Sequence, residues 1–265
     1  MTALALPAAG SARLVANEAV KGLQLAWRRR ALVITFVVMH AITFLGIRLL
    51  IGGGRLVTPL LATTLPALLA VAVAQTAAVQ GSGGIAEEIN GGTLAQSQLT
   101  PASPQRQVLG RLAALAVEGL AAAVPLGLVF VLGYGVRYHL HPDALVPAVL
   151  TVADGLGYAL VIIALTVRVV SIGAITHVFG MVIQFFGGML VPVTVFPHAV
   201  ETFTRFLPTT LGVQALNTIL AGRGLAAAWA DGSLPWLIVH TFASLALGWT
   251  VYLRNIRRAR REGGL

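Results

Sequence analysis

The sequence predicts an all-α, polytopic membrane protein: six transmembrane helices, an N-terminal amphipathic helix at the interface, and a short helical hairpin on the outer side between spans five and six. Three observations carry this. Charged residues are 10% of the 265 and hydrophobic residues 57%, with a mean hydropathy of +0.86; a soluble domain runs near one-quarter charged. Six apolar segments each approach the roughly 20 residues that a helix needs to cross hydrocarbon. The 18 basic residues, all arginine except Lys21, are divided unevenly among the polar stretches between those segments. One transmembrane domain therefore uses the whole of 1–265.

In chain order, residues 1–12 are rich in alanine and read as a disordered lead without the charged-then-apolar order of a signal peptide. A helical stripe follows over 11–30. Asn17, Lys21, Gln24 and Arg28 share one face, and Val15, Ala19, Leu23 and Trp27 the other. That is the pattern of a helix lying on the cytosolic surface with Trp27 at headgroup level; a flexible tail is the plain alternative. Spans follow at 31–50, 56–79, 108–133, 145–167, 170–191 and 234–253. Gly52, Gly53 and Gly54 make a short first outer turn, and Arg168 marks a tight turn between spans four and five. Between spans five and six, 192–233 is only half apolar and is punctuated by Pro192, Pro197 and Pro208. It has room for two short helices, at 198–206 and 211–220, neither long enough to cross hydrocarbon.

The longest polar stretch between apolar runs is 81–107, GSGGIAEEINGGTLAQSQLTPASPQRQ. Its first glycines let the chain leave the bilayer and turn. Paired acids, Glu87 and Glu88, precede a Gly-Gly-Thr-Leu turn; then come a short polar helix over 94–99 and a Thr-Pro-Ala-Ser-Pro break, and Arg106 and Arg111 close the segment. Small, polar and stiffened by prolines, the stretch reads as a docking element held between two membrane helices.

Orientation follows from charge. With the N-terminus inside, 13 basic residues fall on the inner side and five on the outer, the five being Arg48, Arg55, Arg137, Arg205 and Arg223. Arginine and lysine accumulate on the cytosolic side of spans, so both termini are placed in the cytosol of a cell membrane. The basic tail 254–261 has two readings, topology anchoring with lipid contact or contact with a partner protein.

Composition and spacing also exclude functions. With no cysteine there is no disulfide framework or thiol chemistry. The formal charge of +9 serves topology and anionic lipid, because no soluble basic patch with interleaved aromatics is present to meet nucleic acid. A phosphate-binding loop needs Gly-x-x-x-x-Gly-Lys-Ser/Thr, and the one lysine lies in Ala19-Val20-Lys21-Gly22, so the chain carries no such ATPase motif. Gly81-Ser82-Gly83-Gly84-Ile85-Ala86 matches a dinucleotide pattern in letters only, since a membrane helix and not a strand precedes it. His139, His141 and Asp143 have spacing that permits a metal, but they read as solvated polar residues of an outer loop, and no metal or cofactor site is assigned. No nucleophile-base arrangement shares a rigid element.

Glu118, Asp154 and His177 lie several residues inside their spans. A charge at the bilayer centre costs about 2.5–3.5 kcal/mol on insertion scales, so such residues face a bundle interior or a cavity. Either they line a pathway or they make hydrogen bonds between helices.

The stretch Glu87-Glu88-Ile89-Asn90-Gly91-Gly92-Thr93-Leu94, followed by Thr100-Pro101 and Gly110-Arg111-Leu112, resembles the cytoplasmic loop of the ABC type-2 permease family. Asn90 and Gly91 stand where many relatives carry a charged residue. A second stretch, Gly187-Gly188-Met189-Leu190-Val191-Pro192 through Phe206-Leu207-Pro208-Thr209-Thr210, resembles the outer hairpin of the same family. The resemblance implies the membrane subunit of an exporter of drugs or antibiotics, with a lipid or polysaccharide exporter as the variant within the family. An ion-coupled secondary transporter is the rival class, and it would show inverted repeats. The resemblance further implies two separately encoded ATPase subunits that hold ATP and magnesium, and a second permease, identical or related. It places Glu87, Glu88, Thr93, Leu94 and Gln98 against an ATPase subunit, and makes Glu118, Asp154 and His177 candidates for the pathway.

Overall fold

The structure, a computed structural model, describes residues 13, 16–17, 20, 24, 27–28, 30–94, 104–138, 141–169 and 173–261. Helices follow one another with no strand among the described residues: α1 (Arg30–Ile51), α2 (Thr58–Asn90), α3 (Pro104–Tyr134), α4 (Leu145–Thr166), α5 (Gly173–Phe186), α6 (His198–Thr204), α7 (Thr210–Thr218), α8 (Gly224–Ala230) and α9 (Ser233–Arg261). A π turn, Ile219–Arg223, joins α7 to α8. Five of these helices are long and apolar enough to cross a membrane: α1, α2, α3, α4 and α9.

The expected fifth span is shorter than the sequence implied. Helix α5 has 14 residues, about 21 Å at 1.5 Å per residue, against a hydrocarbon core of about 30 Å. It stops at Gly187 and Gly188. Gly188 sits at φ +90, a conformation that costs glycine nothing. The end is closed by Gly187 N–H to the Ile183 carbonyl and Leu190 N–H to the Gln184 carbonyl, at 2.7 and 3.2 Å. Residues 170–172, the start of that span, lie outside the described residues.

The second span departs in the other direction. The glycines at 81–84 do not turn the chain out of the bilayer; α2 runs through them to Asn90, 33 residues in all. Staying helical keeps every backbone donor paired inside the helix. Gly81 serves packing instead, because a side chain there would collide with Ile163 of α4. The same device recurs on α4: a Cβ on Gly155 would sit 3.0 Å from that of Ala74 on α2, and Gly157 lies against the backbone of Ser244 and Leu245 on α9. Small residues let helix backbones approach where hydrophobicity alone drives no association. Helix α4 is thus packed between α2 and α9. The turn comes at Gly92, φ +66.

Pro66 interrupts the hydrogen-bond ladder of α2. It has no N–H, so the carbonyl four residues back, Ala62, loses its helical donor. The Tyr138 hydroxyl, from the loop after α3, donates to that carbonyl at 2.9 Å.

Arg48, counted above among the outer charges, is instead buried in the last turn of α1 with 1% exposure. Its guanidinium donates to the Met189 carbonyl and lies 5.0 Å from the centre of the Phe44 ring. A cation suits the broken end of α5, where carbonyls lack helical donors. Around it one apolar cluster gathers Phe44, Leu65, Leu68, Phe130 and Met189. A second, at the other end of α2, gathers Ile85, Leu94, Val108, Ile163 and Tyr252. A third holds α7 to α9 through Leu211, Ala215, Ile219 and Leu237.

Candidate functional site

At the far end of α2 the acidic pair separates into two roles. Glu87 is exposed. Glu88 is half-buried, and both its carboxylate oxygens accept from Nη2 of Arg111 at 2.7 Å. This clamps the end of α2 to the early turns of α3. Thr93 is exposed beside it, its hydroxyl 3.4 Å from the Glu88 carbonyl. Leu94 is 1% exposed and belongs to the apolar cluster with Ile85 and Val108. Of the five residues expected to face an ATPase, Glu87 and Thr93 therefore lie on the surface. Glu88 and Leu94 turn inward and hold the turn in place. Gln98 and the short helix at 94–99, except Leu94, lie outside the described residues.

The three ionisable residues named as pathway candidates do not come together. His177 is on the exposed side of α5, and Glu118 is half-buried on α3. Asp154 is the buried one, 1% exposed, and it joins three elements. Its Oδ1 lies 2.8 Å from His240 Nδ1 and accepts from the Ser244 hydroxyl at 2.9 Å. Its Oδ2 accepts from the Thr209 N–H at 3.1 Å. His240 Nε2 in turn lies 3.1 Å from the Phe206 carbonyl. Both ring nitrogens of His240 face acceptors. The ring is thereby held at both ends, by the carboxylate on α4 and by the carbonyl ahead of α7.

Of the two readings of Asp154, the geometry favours the contact between helices. The segment Phe206 to Thr209, between α6 and α7, thereby reaches the level of Asp154, 9 residues along α4 from its start, or about 14 Å. The sequence reading missed His240 and Ser244. They lie four apart on α9, on one helical face, and the rule that singled out Asp154, polar groups inside an apolar run, applies to them too. It also missed Gln75 and Gln184, whose side-chain amides join α2 to α5 at 2.7 Å.

A groove of about 450 Å³ runs between α2, α3, α4 and α7. Leu69, Val73, Val124, Leu128, Val152 and Leu216 are among its walls, and Thr151 and Tyr138 are the residues with hydroxyls. Its size and lining fit an apolar small molecule or chain.

On the outer side by the arginine reading, His141 and Asp143 hold one another and the start of α8. Asp143 N–H donates to His141 Nδ1 at 3.3 Å, and Leu225 N–H reaches Asp143 Oδ2 at 3.4 Å. No group of three or more metal-ligating residues forms among the described residues, and His139 lies outside them. Asp231, between α8 and α9, accepts from the Ser233 N–H at 2.9 Å and the Thr218 hydroxyl at 3.0 Å. Burial alone would raise its carboxyl. The hydrogen bonds from Ser233 and Thr218 and the charge of Arg223 outweigh that and hold it below the ordinary value.

Compared with known families, residues 19–221 match the model described as ABC-2 type transporter. No curated protein matches the chain.

Proposed function

Because the chain belongs to the ABC-2 type transporter family, a family of multi-pass membrane permeases that work with an ABC ATPase and are not themselves catalytic, we propose that it is the membrane subunit of an ATP-driven exporter in a bacterial cell membrane. It pairs with a second permease, identical or related. Two separate ATPase subunits supply ATP hydrolysis from the cytosolic side, where both termini lie. Helix α5 and the segment after it stand as the fifth of six passes. The cargo is a hydrophobic or amphipathic small molecule, a drug or antibiotic, and the apolar groove between α2, α3, α4 and α7 supports that class.

One observation carries the coupling. Helix α2 is continuous over 33 residues, about 50 Å, which exceeds the hydrocarbon thickness, and its polar end is locked to α3 by Glu88 and Arg111. A push on the exposed Glu87 and Thr93 side of the turn at 91–94 is thereby delivered to two spans at once. The ion-coupled alternative is less well supported, because the Asp154 carboxylate is already engaged by His240, Ser244 and Thr209. The test is transport of an amphipathic dye into inside-out proteoliposomes holding the chain with its ATPase. Uptake should require ATP hydrolysis and survive collapse of proton and sodium gradients. Uptake that proceeds without the ATPase and stops with an ionophore would overturn the reading.

A further inference from the structure

A cavity of about 830 Å³ opens where the N-terminal segment meets α1 and α3. Its lining changes character over one helical turn. Arg28 and Arg30 stand at one side with Trp27, and Arg30 lies 5.7 Å from the centre of the Trp27 ring. Val33 and Ile34, one turn further along α1, and Ala121 of α3 supply an apolar floor. No acidic side chain lines the cavity among the described residues.

Each half makes a separate demand. Guanidinium groups without a carboxylate favour an anion, and their planar donors match phosphate oxygens in particular. The aliphatic floor favours hydrocarbon. Tryptophan is the side chain that settles where headgroups meet acyl chains. A free inorganic anion satisfies only the first demand, and a neutral apolar molecule only the second. The volume falls within the range of about 300–1,000 Å³ for small-molecule sites, enough for a headgroup and the upper part of a chain.

We propose that this cavity is a binding site for an anionic phospholipid of the leaflet facing the N-terminus, with its phosphate on Arg28 and Arg30 and an acyl chain along Val33, Ile34 and Ala121. The lipid then joins the N-terminal segment to α1 and α3, tying the interfacial segment to the bundle. This site is separate from the groove between α2, α3, α4 and α7, and it does not depend on what the transporter carries.

The test is lipid retention by the purified full chain, incubated in mixed micelles with equal phosphatidylglycerol and phosphatidylcholine and read by native mass spectrometry. The wild-type chain should keep phosphatidylglycerol in preference to phosphatidylcholine. Arg28→Gln and Arg30→Gln should each reduce that preference about fivefold. Ala121→Phe and Ile34→Trp fill the floor and leave every charge in place; each should lower retained phosphatidylglycerol to the same degree as losing an arginine. Equal retention of the two lipids by the wild type would overturn the proposal. So would retention of phosphatidylglycerol that is unchanged in both floor variants, because the arginines would then be acting as an open charged surface.

Discussion

Asp154 on α4 accepts the backbone N–H of Thr209 at 3.1 Å, across 55 residues of chain. Thr209 is the one residue other than glycine with a positive φ among the described residues, at +77, where the β-branched side chain meets its own backbone. It is the N-cap of α7, so Asp154 supplies from another helix the acceptor that the third residue of a capping box gives the N-cap N–H. Asp154→Ala removes the acceptor and leaves His240 without its partner, and loss of one member of a buried pair costs about 3–5 kcal/mol. The variant should lose folded yield in detergent and export cationic and neutral compounds equally poorly. Thr209→Gly should go the other way and raise the melting temperature, since it removes about 1 kcal/mol of strain and a hydroxyl that is buried without a partner. A selective loss of cation export in Asp154→Asn, with stability intact, would return Asp154 to the pathway.

The Tyr138 hydroxyl and the Ala62 carbonyl are matched through Pro66. Tyr138→Phe leaves that carbonyl without a donor and should lower stability by about 1–2 kcal/mol. In a Pro66→Ala background the helix itself supplies the N–H. The same tyrosine change should then cost under about 0.5 kcal/mol, giving a coupling that a double-mutant cycle measures. Additive losses would show that the hydroxyl serves something else.

Glu87 and Glu88 should separate in experiment as they do in space. Glu87→Lys alters an exposed charge; it should lower melting less than Glu88→Lys does and reduce capture of the ATPase subunit on an affinity column. Glu88→Lys faces Arg111 and should lower stability by about 1–2 kcal/mol. Adding Arg111→Glu restores opposite charges and should recover at least half of the loss. Failure of that exchange to recover stability would remove the clamp from the account of coupling.

Asp231 gives the connection between α8 and α9 an acid-sensitive joint. Its folded carboxyl is held below the ordinary value of 3.8, with burial opposing and the hydrogen bonds of Ser233 and Thr218 prevailing. A depressed carboxyl stabilises the fold above the ordinary value, and the contribution is lost as pH falls through the folded one. Hydrogen-exchange protection of 219–233, corrected for intrinsic rates, should therefore fall as pH drops below 3.8. Asp231→Asn should be less protected at neutral pH and lack this acid step.

What the sequence by itself determined is the class of the molecule. Low charge, long apolar runs and arginine distribution dictate spanning helices, because hydrocarbon offers no partner to an unpaired backbone group. Helices α1, α3, α4 and α9 were legible for that reason, whereas α8 was not among the short helices expected. Tertiary structure decided the rest. Gly81 reads as a breaker in isolation, and only the approach of Ile163 shows that it is a packing residue inside α2. Arg48 counts as an outer charge until the broken end of α5 draws it inward. Asp154 alone could line a pathway or bind a neighbour, and its partners His240, Ser244 and Thr209 come from 86, 90 and 55 residues away. Periodicity reports which face of a helix is apolar, a property of neighbours in sequence. Which buried polar group meets which other is set by helix packing, and no local pattern encodes it.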